Sequence, residues 1–443
     1  MRRVPIGGDC PPSRTTRTVK CTTVLFVGQV MEGGKVGHKP PDLGTKPPPE
    51  PDRNGSPLPR RIGQVAEAAG HGNVSLIDGA EGVARVQVEG PRQVRVAQSI
   101  LFSDTVGPMT SHERALRLVR GEPTDRLVAM PIFMTWISRE IGRPYRDYVT
   151  DHRVLVAAQE WLVEEFSIDS VSVISDAWRE AADCGAEIVF WEDAPPACKR
   201  HLLEDKAGLA TLRGPDPLSG GRMTDRVQAV AALHQEYGGQ VPVMGWIEGP
   251  MAEACCLRGI NEMMLDLIDD PAFAADLLDF STEVGVEFAL AQVKAGADII
   301  GMGDAAASLC GPRFYERLVL PRERRIADAV HEAGALVRLH VCGDTNGILA
   351  PMATGGADII DLDYPVHIDR VRPEMGDRPI IAGNFDPVGV LLNGTPDDVT
   401  AACRQCHQAF GSRHIVCAGC EVPRNTPTPN VRALFDYART AGG

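Results

Sequence analysis

The chain has 443 residues, of which 44% are hydrophobic, so it is long enough for one large globular domain or two ordinary ones. Its formal net charge of −14 argues against a nucleic-acid-binding protein, which would carry a basic face. No apolar run approaches the roughly 20 residues of a transmembrane helix, and no apolar stretch of signal-peptide length follows Arg2 and Arg3. We therefore expect a cytoplasmic protein with no membrane partner, whose 12 cysteines are mostly thiols.

Residues 1–108 differ in composition from the rest of the chain. They are rich in Pro and Gly, carry a slight excess of basic residues and show no lasting helical or strand period. Such a composition cannot bury enough apolar surface to offset chain entropy. This part is either a disordered N-terminal extension or the product of a start codon assigned too far upstream, and the second reading is favoured. Met109 is the expected beginning of the folded unit, with Ser111 as the N-cap of its first helix.

Residues 109–443 alternate between short β-rich runs and helical stretches. The clearest amphipathic segments are 225–237, 261–294, 312–333 and 396–410. The alternation predicts an α/β fold, a (β/α)₈ TIM barrel, rather than an open doubly wound sheet, since no Gly-x-Gly-x-x-Gly follows the first strand. A further strand at 186–191 should lie outside the barrel. The eight predicted barrel strands are 127–136, 170–178, 241–248, 297–304, 336–343, 357–364, 379–386 and 414–420.

One predicted strand ends in a pair of potential metal ligands. His340 and Cys342 are two residues apart, so their side chains point to the same face, and Gly343 follows them in a turn. A third ligand is available from Cys420, after the last predicted strand. One His and two Cys make a zinc site with one open position, as in catalytic rather than structural zinc sites. From spacing alone, a core His beside a core Cys is the alternative.

Other polar residues collect at the predicted strand ends. Catalytic groups of a barrel lie at the carboxyl ends of its strands, where this chain places Glu248, Asp304, Asp363 and Asn384. We take these four as candidate catalytic residues. For Asp363 and Asn384 an ordinary strand-ending role is equally compatible with the sequence.

Two phrases resemble a known family. His-x-Cys-Gly at 340–343 and Gly-Cys-Glu-Val-Pro-Arg-Asn-Thr-Pro at 419–427, with Asn430, are similar to the zinc-dependent, corrinoid-linked methyltransferases of the uroporphyrinogen decarboxylase superfamily. The resemblance implies zinc bound by His340, Cys342 and Cys420, and methyl transfer between a corrinoid and a small thiol or a methylated or methoxylated substrate. The family also has a Glu-Gly-Pro matching residues 248–250. The corrinoid would be carried on a separate protein, because this chain has no Asp-x-His-x-x-Gly motif.

Two other functions remain open. The first is uroporphyrinogen decarboxylase itself, a metal-free enzyme of haem biosynthesis, but the Arg-Gln-Ala-Gly-Arg phrase of that enzyme is missing at 133–139. The second is a non-catalytic corrinoid-handling or zinc-binding protein. Among the remaining cysteines, Cys417 is expected to pack in the core, although a bend at Gly419 would make it the metal ligand instead of Cys420. The C-x-x-C-H at 403–407 lies in a predicted helix and is not expected to attach haem. Cys255 and Cys256, at a loop or helix start, receive no role.

Overall fold

The computed structural model describes residues 109–441 together with two strands, β1 (Val74–Gly79) and β2 (Val83–Val88), which pair as an antiparallel hairpin. The other predictions made for residues 1–108 fall outside the described residues. Within 109–441 the chain forms the predicted α/β barrel. Its eight parallel strands are β3 (Val128–Ala129), β4 (Val171–Ser172), β7 (Val243–Glu248), β8 (Ile299–Gly303), β9 (Leu336–Val341), β10 (Ile359–Leu362), β11 (Ile380–Gly383) and β12 (His414–Val416).

The strand order is β3-β12-β11-β10-β9-β8-β7-β4. From β4 to β12, each barrel strand therefore lies beside the barrel strand that follows it in the chain, and β12 lies beside β3. Strands β5 (Glu187–Val189) and β6 (Ala197–Arg200) form a separate antiparallel pair after β4, which confirms the extra strand predicted there. Parallel neighbours require crossover connections, and the helices supply them. All of the barrel strands are almost fully buried, because the helices pack on their outer face.

The helix predicted at 396–410 has those bounds, and the helix predicted at 225–237 begins at Arg222. The α-helices of residues 109–441 alternate with the strands. They are α1 (Ser111–Arg120), α2 (Thr135–Glu140), α3 (Tyr145–Thr150), α4 (His152–Phe166), α5 (Arg179–Asp183), α6 (Arg222–Tyr237), α7 (Pro250–Arg258), α8 (Ile260–Asp269), α9 (Pro271–Lys294), α10 (Pro312–Phe314), α11 (Leu320–Glu332), α12 (Leu349–Met352), α13 (Ile368–Met375), α14 (Pro396–Phe410) and α15 (Thr428–Thr440). Within residues 109–441 no helix is both long and apolar enough to cross a bilayer.

Residue Asp169 joins the first two strands of the barrel, β3 and β4, through its backbone and its side chain. No ladder pairs β3 with β4 within residues 109–441; instead, the Asp169 N–H donates to the Ala129 carbonyl (3.2 Å) and Asp169 Oδ2 accepts from the Ala129 N–H (2.9 Å). Arg114 of α1 and Arg126 donate to the same carboxylate at 2.7 and 2.6 Å. The first helix therefore takes part in closing the barrel.

Three local predictions need correction. The predicted strands 127–136 and 170–178 contain only two strand residues each, because the apolar runs continue as buried irregular backbone and, in the first case, as α2. The predicted helix 261–294 is two helices, since Asp270 caps a new helix that begins at Pro271. The N-cap of α1 is Thr110, whose side chain accepts from the Glu113 N–H at 3.0 Å, whereas Ser111 donates its hydroxyl to Asp169.

Candidate metal centre

Three potential metal ligands converge at the carboxyl end of the barrel. Nε2 of His340 lies 3.1 Å from Sγ of Cys342 and 3.7 Å from Sγ of Cys420. The two sulfur atoms are themselves 3.7 Å apart, although 78 residues separate them in the chain. One donor atom from each residue lies within 4.8 Å of the other two. The structure thus brings together all three residues that the sequence pointed to.

Two glycines allow the backbone to present these side chains. Gly343 turns the chain directly after Cys342 with a φ of 85°, in the region that favours glycine, and its N–H donates to Asp363 Oδ2 at 2.8 Å. Gly419 lies so close to the turn after β10 that a Cβ atom there would be 2.6 Å from the Tyr364 nitrogen. Cys420 reaches the other two donors because no side chain precedes it at this close approach.

A carboxylate behind His340 fixes the orientation of its ring. Asp361 lies opposite His340 in the β9–β10 register, and its Oδ2 is 3.0 Å from Nδ1 of His340. The same carboxylate accepts two hydrogen bonds from Nε of Arg338, at 2.9 and 3.0 Å. A carboxylate on the far nitrogen of a ligating His selects the tautomer and leaves the other nitrogen for the metal. Here that other nitrogen is Nε2, which points at the two sulfurs.

The hydrogen bonds within the trio favour a thiolate at Cys420. Hydrogen bonding from Cys342 is the main cause that holds the pKa of Cys420 well below its usual value, and His340 adds to the effect. Burial lowers the pKa of His340, but the bonds to Asp361 and Cys420 outweigh it and raise this pKa to about 10. A cation between the three donors would replace these protons, since thiolate and neutral imidazole are the forms that bind metal.

The donor set suits zinc. Zinc takes tetrahedral sets of Cys sulfur and His nitrogen, and a catalytic zinc keeps three protein ligands and one exchangeable position. The three donors face a partly open cavity, so a small molecule in the cavity has access to that position. Polar side chains that line this cavity are Asp176, Glu248, His340, Cys342, Cys420 and Glu421.

Two glutamates that line the cavity accept hydrogen bonds from different helices, α5 and α2. Glu248, at the end of β7, accepts a hydrogen bond of 2.7 Å from the fully buried Arg179. Glu421 accepts from the N–H and hydroxyl of Thr135 at 2.6 and 2.7 Å. Burial raises the pKa of Glu248 to about 8 and that of Glu421 to about 7. Both can therefore take up or release a proton near neutral pH.

The remaining predicted catalytic residues lie around the cavity and do not line it. Asp304 accepts from the Ala252 N–H at 2.6 Å, and burial together with Glu323 raises its pKa well above the usual value. Asp363 accepts from Gly343 and from its neighbour Tyr364, and burial raises its pKa to about 6. Asn384 donates to the Val366 carbonyl at 3.0 Å. Each of these three side chains fixes backbone near the site.

Five further cysteines of the described residues are core or cavity residues: Cys255, Cys256, Cys403, Cys406 and Cys417. Cys417 is buried with its Sγ 3.8 Å from the Ile415 carbonyl, in agreement with a packing role. The C-x-x-C-H pattern lies in α14 as predicted, with both of its cysteines buried. Cys255 and Cys256 were given no role, yet both belong to α7 and line the cavity.

Sequence reasoning missed Asp361, Asp176 and Glu421. Asp361 carried a usable signal, since a lone carboxylate within the apolar strand Ile359–Leu362 needs a buried partner. Glu421 directly follows the Cys420 ligand. Asp176 gave no signal, because it lies in a predicted strand that the structure shows to be irregular.

Comparisons with known proteins agree with the fold. The uroporphyrinogen decarboxylase (URO-D) family matches residues 110–441. The methylcobamide:CoM methyltransferase MtbA of Methanosarcina mazei is 31% identical over 337 residues, which are 74% of this chain and 98% of that protein. The uroporphyrinogen decarboxylase of Thioalkalivibrio sulfidiphilus is 28% identical over 360 residues, covering 75% and 98%.

A solved structure shares the architecture. A methyltransferase from Methanosarcina mazei superposes with a TM-score of 0.69 at 24% identity, over 75% of this chain and 98% of that one. The fold is therefore shared along almost the whole of the described barrel. Since the family match also spans that barrel, the chain belongs to the uroporphyrinogen decarboxylase family.

Proposed function

We propose that this protein is a zinc-dependent methyltransferase. It moves a methyl group between a corrinoid, carried on a separate protein, and a small thiol or a methylated or methoxylated substrate. The observation that carries the proposal is the trio of His340, Cys342 and Cys420 facing a partly open, mostly apolar cavity. Relatives named methylcobamide:CoM methyltransferases support the reaction class. A reducing cytoplasm suits the site, because its two sulfurs lie 3.7 Å apart as free thiols.

The residues around the trio have separable roles. His340, Cys342 and Cys420 would hold the zinc ion, which when bound lowers the pKa of a thiol or polarises a methoxy oxygen. Asp361 accepts the Nδ1 proton of His340 and keeps Nε2 free for the metal. Asp363 holds the turn after Cys342 through the Gly343 N–H.

Glu248 is the proposed proton acceptor for the reacting thiol. When a thiol is the methyl acceptor, its S–H bond breaks and its sulfur attacks the methyl carbon of the methyl-corrinoid. The S–C bond forms as the Co–C bond breaks. The electron pair of the Co–C bond stays on cobalt, which passes from Co(III) to Co(I). The released proton goes to Glu248, which lines the cavity and whose pKa burial raises to about 8. Asp304 and Asn384 act as positioning residues through the backbone of Ala252 and Val366.

Metal analysis and an optical assay test the proposal. The purified protein should contain about one zinc per chain. With methylcobalamin and a panel of thiols, it should produce the colour change of corrinoid demethylation; with Co(I) corrinoid and methoxylated or methylated compounds, it should show the reverse. A chelator should stop the reaction, and zinc should restore it.

Three variants and two alternative outcomes make the test specific. Cys420→Ala should abolish stoichiometric zinc and transfer, whereas the matched variant Cys417→Ala should keep both, since Cys417 packs in the core. Glu248→Gln should keep the metal and slow the transfer. Release of carbon dioxide from uroporphyrinogen, insensitive to chelation, would identify a decarboxylase instead. Bound zinc without any turnover would identify a non-catalytic corrinoid-handling or zinc-binding protein.

A further inference from the structure

The walls of the cavity beside the trio are apolar. Ile132, Met134, Ile174 and Trp246 line it, together with the thiols of Cys255 and Cys256. Burial raises the pKa of both thiols well above the usual value, so they are neutral and behave as small apolar groups. The body of a bound molecule therefore meets hydrocarbon, sulfur and indole.

The indole of Trp246 forms one wall of the cavity beside His340. Its ring centroid is 6.2 Å from that of His340. The space it occupies exists because Gly301 has no side chain: a Cβ there would lie 2.1 Å from the indole ring. The chain thus uses a glycine in β8 to place a large apolar surface beside the reacting position.

The cavity offers no cation to a bound anion. Among the described residues that line it there is neither Lys nor Arg. The two arginines bonded to its lining are already paired: Arg179 donates to Glu248 at 2.7 Å, and Arg222 donates to both oxygens of Asp176 at 2.9 and 2.7 Å. Each guanidinium is therefore held by a side chain that itself lines the cavity, and Nε of Arg179 also lies 3.6 Å from the carboxyl group of Glu180.

The metal ligands add no compensating charge. Two thiolates and a neutral imidazole cancel the charge of a divalent ion, so the site would present no net positive charge to the rest of a substrate. A sulfonate or carboxylate buried here would lie beside the carboxylate of Asp176 without a counter-ion of its own, which is strongly unfavourable.

We propose that the small substrate of this site is uncharged and apolar beyond its reacting sulfur or oxygen, and carries no sulfonate or carboxylate. The inference rests on the proposed methyl transfer only for the identity of the reacting atom. It separates this protein from relatives whose names specify CoM, a thiol with a sulfonate group. The walls and charges of the cavity determine the chemical class of the part of the substrate beyond its reacting atom.

Two thiols of similar length test the inference directly. Titration calorimetry on the zinc-loaded protein would compare 1-propanethiol with 2-mercaptoethanesulfonate. We expect 1-propanethiol to bind at least about tenfold more tightly, because the sulfonate must give up its hydration without gaining a partner. Equal or tighter binding of 2-mercaptoethanesulfonate would overturn the inference, and so would binding of neither thiol.

A charge variant adds an independent measurement. Asp176→Asn leaves Arg222 without its counter-charge beside the cavity, so the affinity for 2-mercaptoethanesulfonate should rise several-fold while that for 1-propanethiol stays the same. The matched control is Asp183→Asn, which removes a carboxylate bonded to the backbone N–H groups of Arg222 and Met223 but absent from the cavity lining. It should change neither affinity. An unchanged sulfonate affinity in folded Asp176→Asn protein would contradict the charge reasoning.

The transfer assay distinguishes this inference from the proposed function. Methylation of 1-propanethiol in preference to 2-mercaptoethanesulfonate, with methylcobalamin as donor, supports both. Preferential methylation of the sulfonate refutes the inference and leaves the methyl transfer standing. Selective binding of 1-propanethiol without methylation of any acceptor refutes the methyl transfer and leaves the inferred ligand class standing.

Discussion

Replacing Asp361 with Asn separates the orientation of the metal ligand from the stability of the barrel. The carboxylate holds Nδ1 of His340 at 3.0 Å and is also the ion-pair partner of Arg338, which is almost completely buried. An Asn of the same shape is uncharged: one carboxylate oxygen becomes an NH2 donor, and the remaining carbonyl oxygen accepts from Nδ1 of His340 and Nε of Arg338 only as a neutral, weaker acceptor. The substitution therefore loosens the His340 ring and leaves a buried guanidinium without a counter-charge.

The two effects have different magnitudes. Removing the outer partner of a metal-binding His typically lowers metal affinity by about 10- to 100-fold, or roughly 1.4–2.7 kcal/mol. Breaking a buried ion pair on one side costs about 3–5 kcal/mol of stability, which should lower the melting temperature by roughly 5 °C or more. We expect Asp361→Asn to show both losses.

A double variant tells the two losses apart. Arg338→Met combined with Asp361→Asn removes both buried charges, so the melting temperature should largely recover. Zinc affinity, measured by competition with a chromophoric chelator, should stay low, because His340 still lacks its carboxylate. Recovery of affinity together with stability would show that the metal was lost through general destabilisation. A single variant with zinc affinity within about twofold of the parent would refute the orienting role.

The other predictions concern the barrel itself. Asp169→Asn should lower the free energy of unfolding in urea by about 3–5 kcal/mol, because it breaks the buried ion pairs that join β3 to β4; Glu113→Gln, which removes an exposed i,i+4 pair, should cost under about 1 kcal/mol. Burial lowers the pKa of His414 to about 4, so below pH 6.5 the unfolded chain binds a proton that the native state refuses. Stability should therefore fall from pH 6.5 to 4, and thermal scans of folded His414→Gln protein should show a weaker fall than those of exposed His367→Gln. A chain of residues 109–443 should melt at the temperature of the full chain, since a complete core lies within it; a loss of several degrees would show stabilising contacts from the preceding residues.

The fold was predictable because its signals are periodic. Eight alternations of apolar strand and amphipathic helix predict a barrel whichever residues fill it. The lengths of the first two strands were not predictable, because an apolar run reports burial rather than strand geometry. Trp136 illustrates this: it is fully buried, yet it belongs to α2 rather than to the strand predicted there.

The proposed metal ligands were predictable for a different reason. The spacing of His340 and Cys342 has a direct geometric consequence, whereas the pairing with Cys420 required a family resemblance. The partners of these residues were harder, because Asp361 and Thr135 act through contacts between distant segments. The shape and charge of the cavity came only with the structure, since its walls are drawn from five separate stretches of chain, at 132–134, 174–177, 246–256, 303–306 and 340–342, and from Cys420 and Glu421.

The division of the ligands between β9 and the turn after β12 determines when the site can exist during synthesis. A nascent chain that has emerged as far as β11 holds His340 and Cys342 but still lacks Cys420. A metal bound in the proposed way would need all three donors, so it could bind only after the last strand has joined the barrel. Any ion bound afterwards ties the final strand to β9, so the free energy of binding is added to that of keeping the barrel closed.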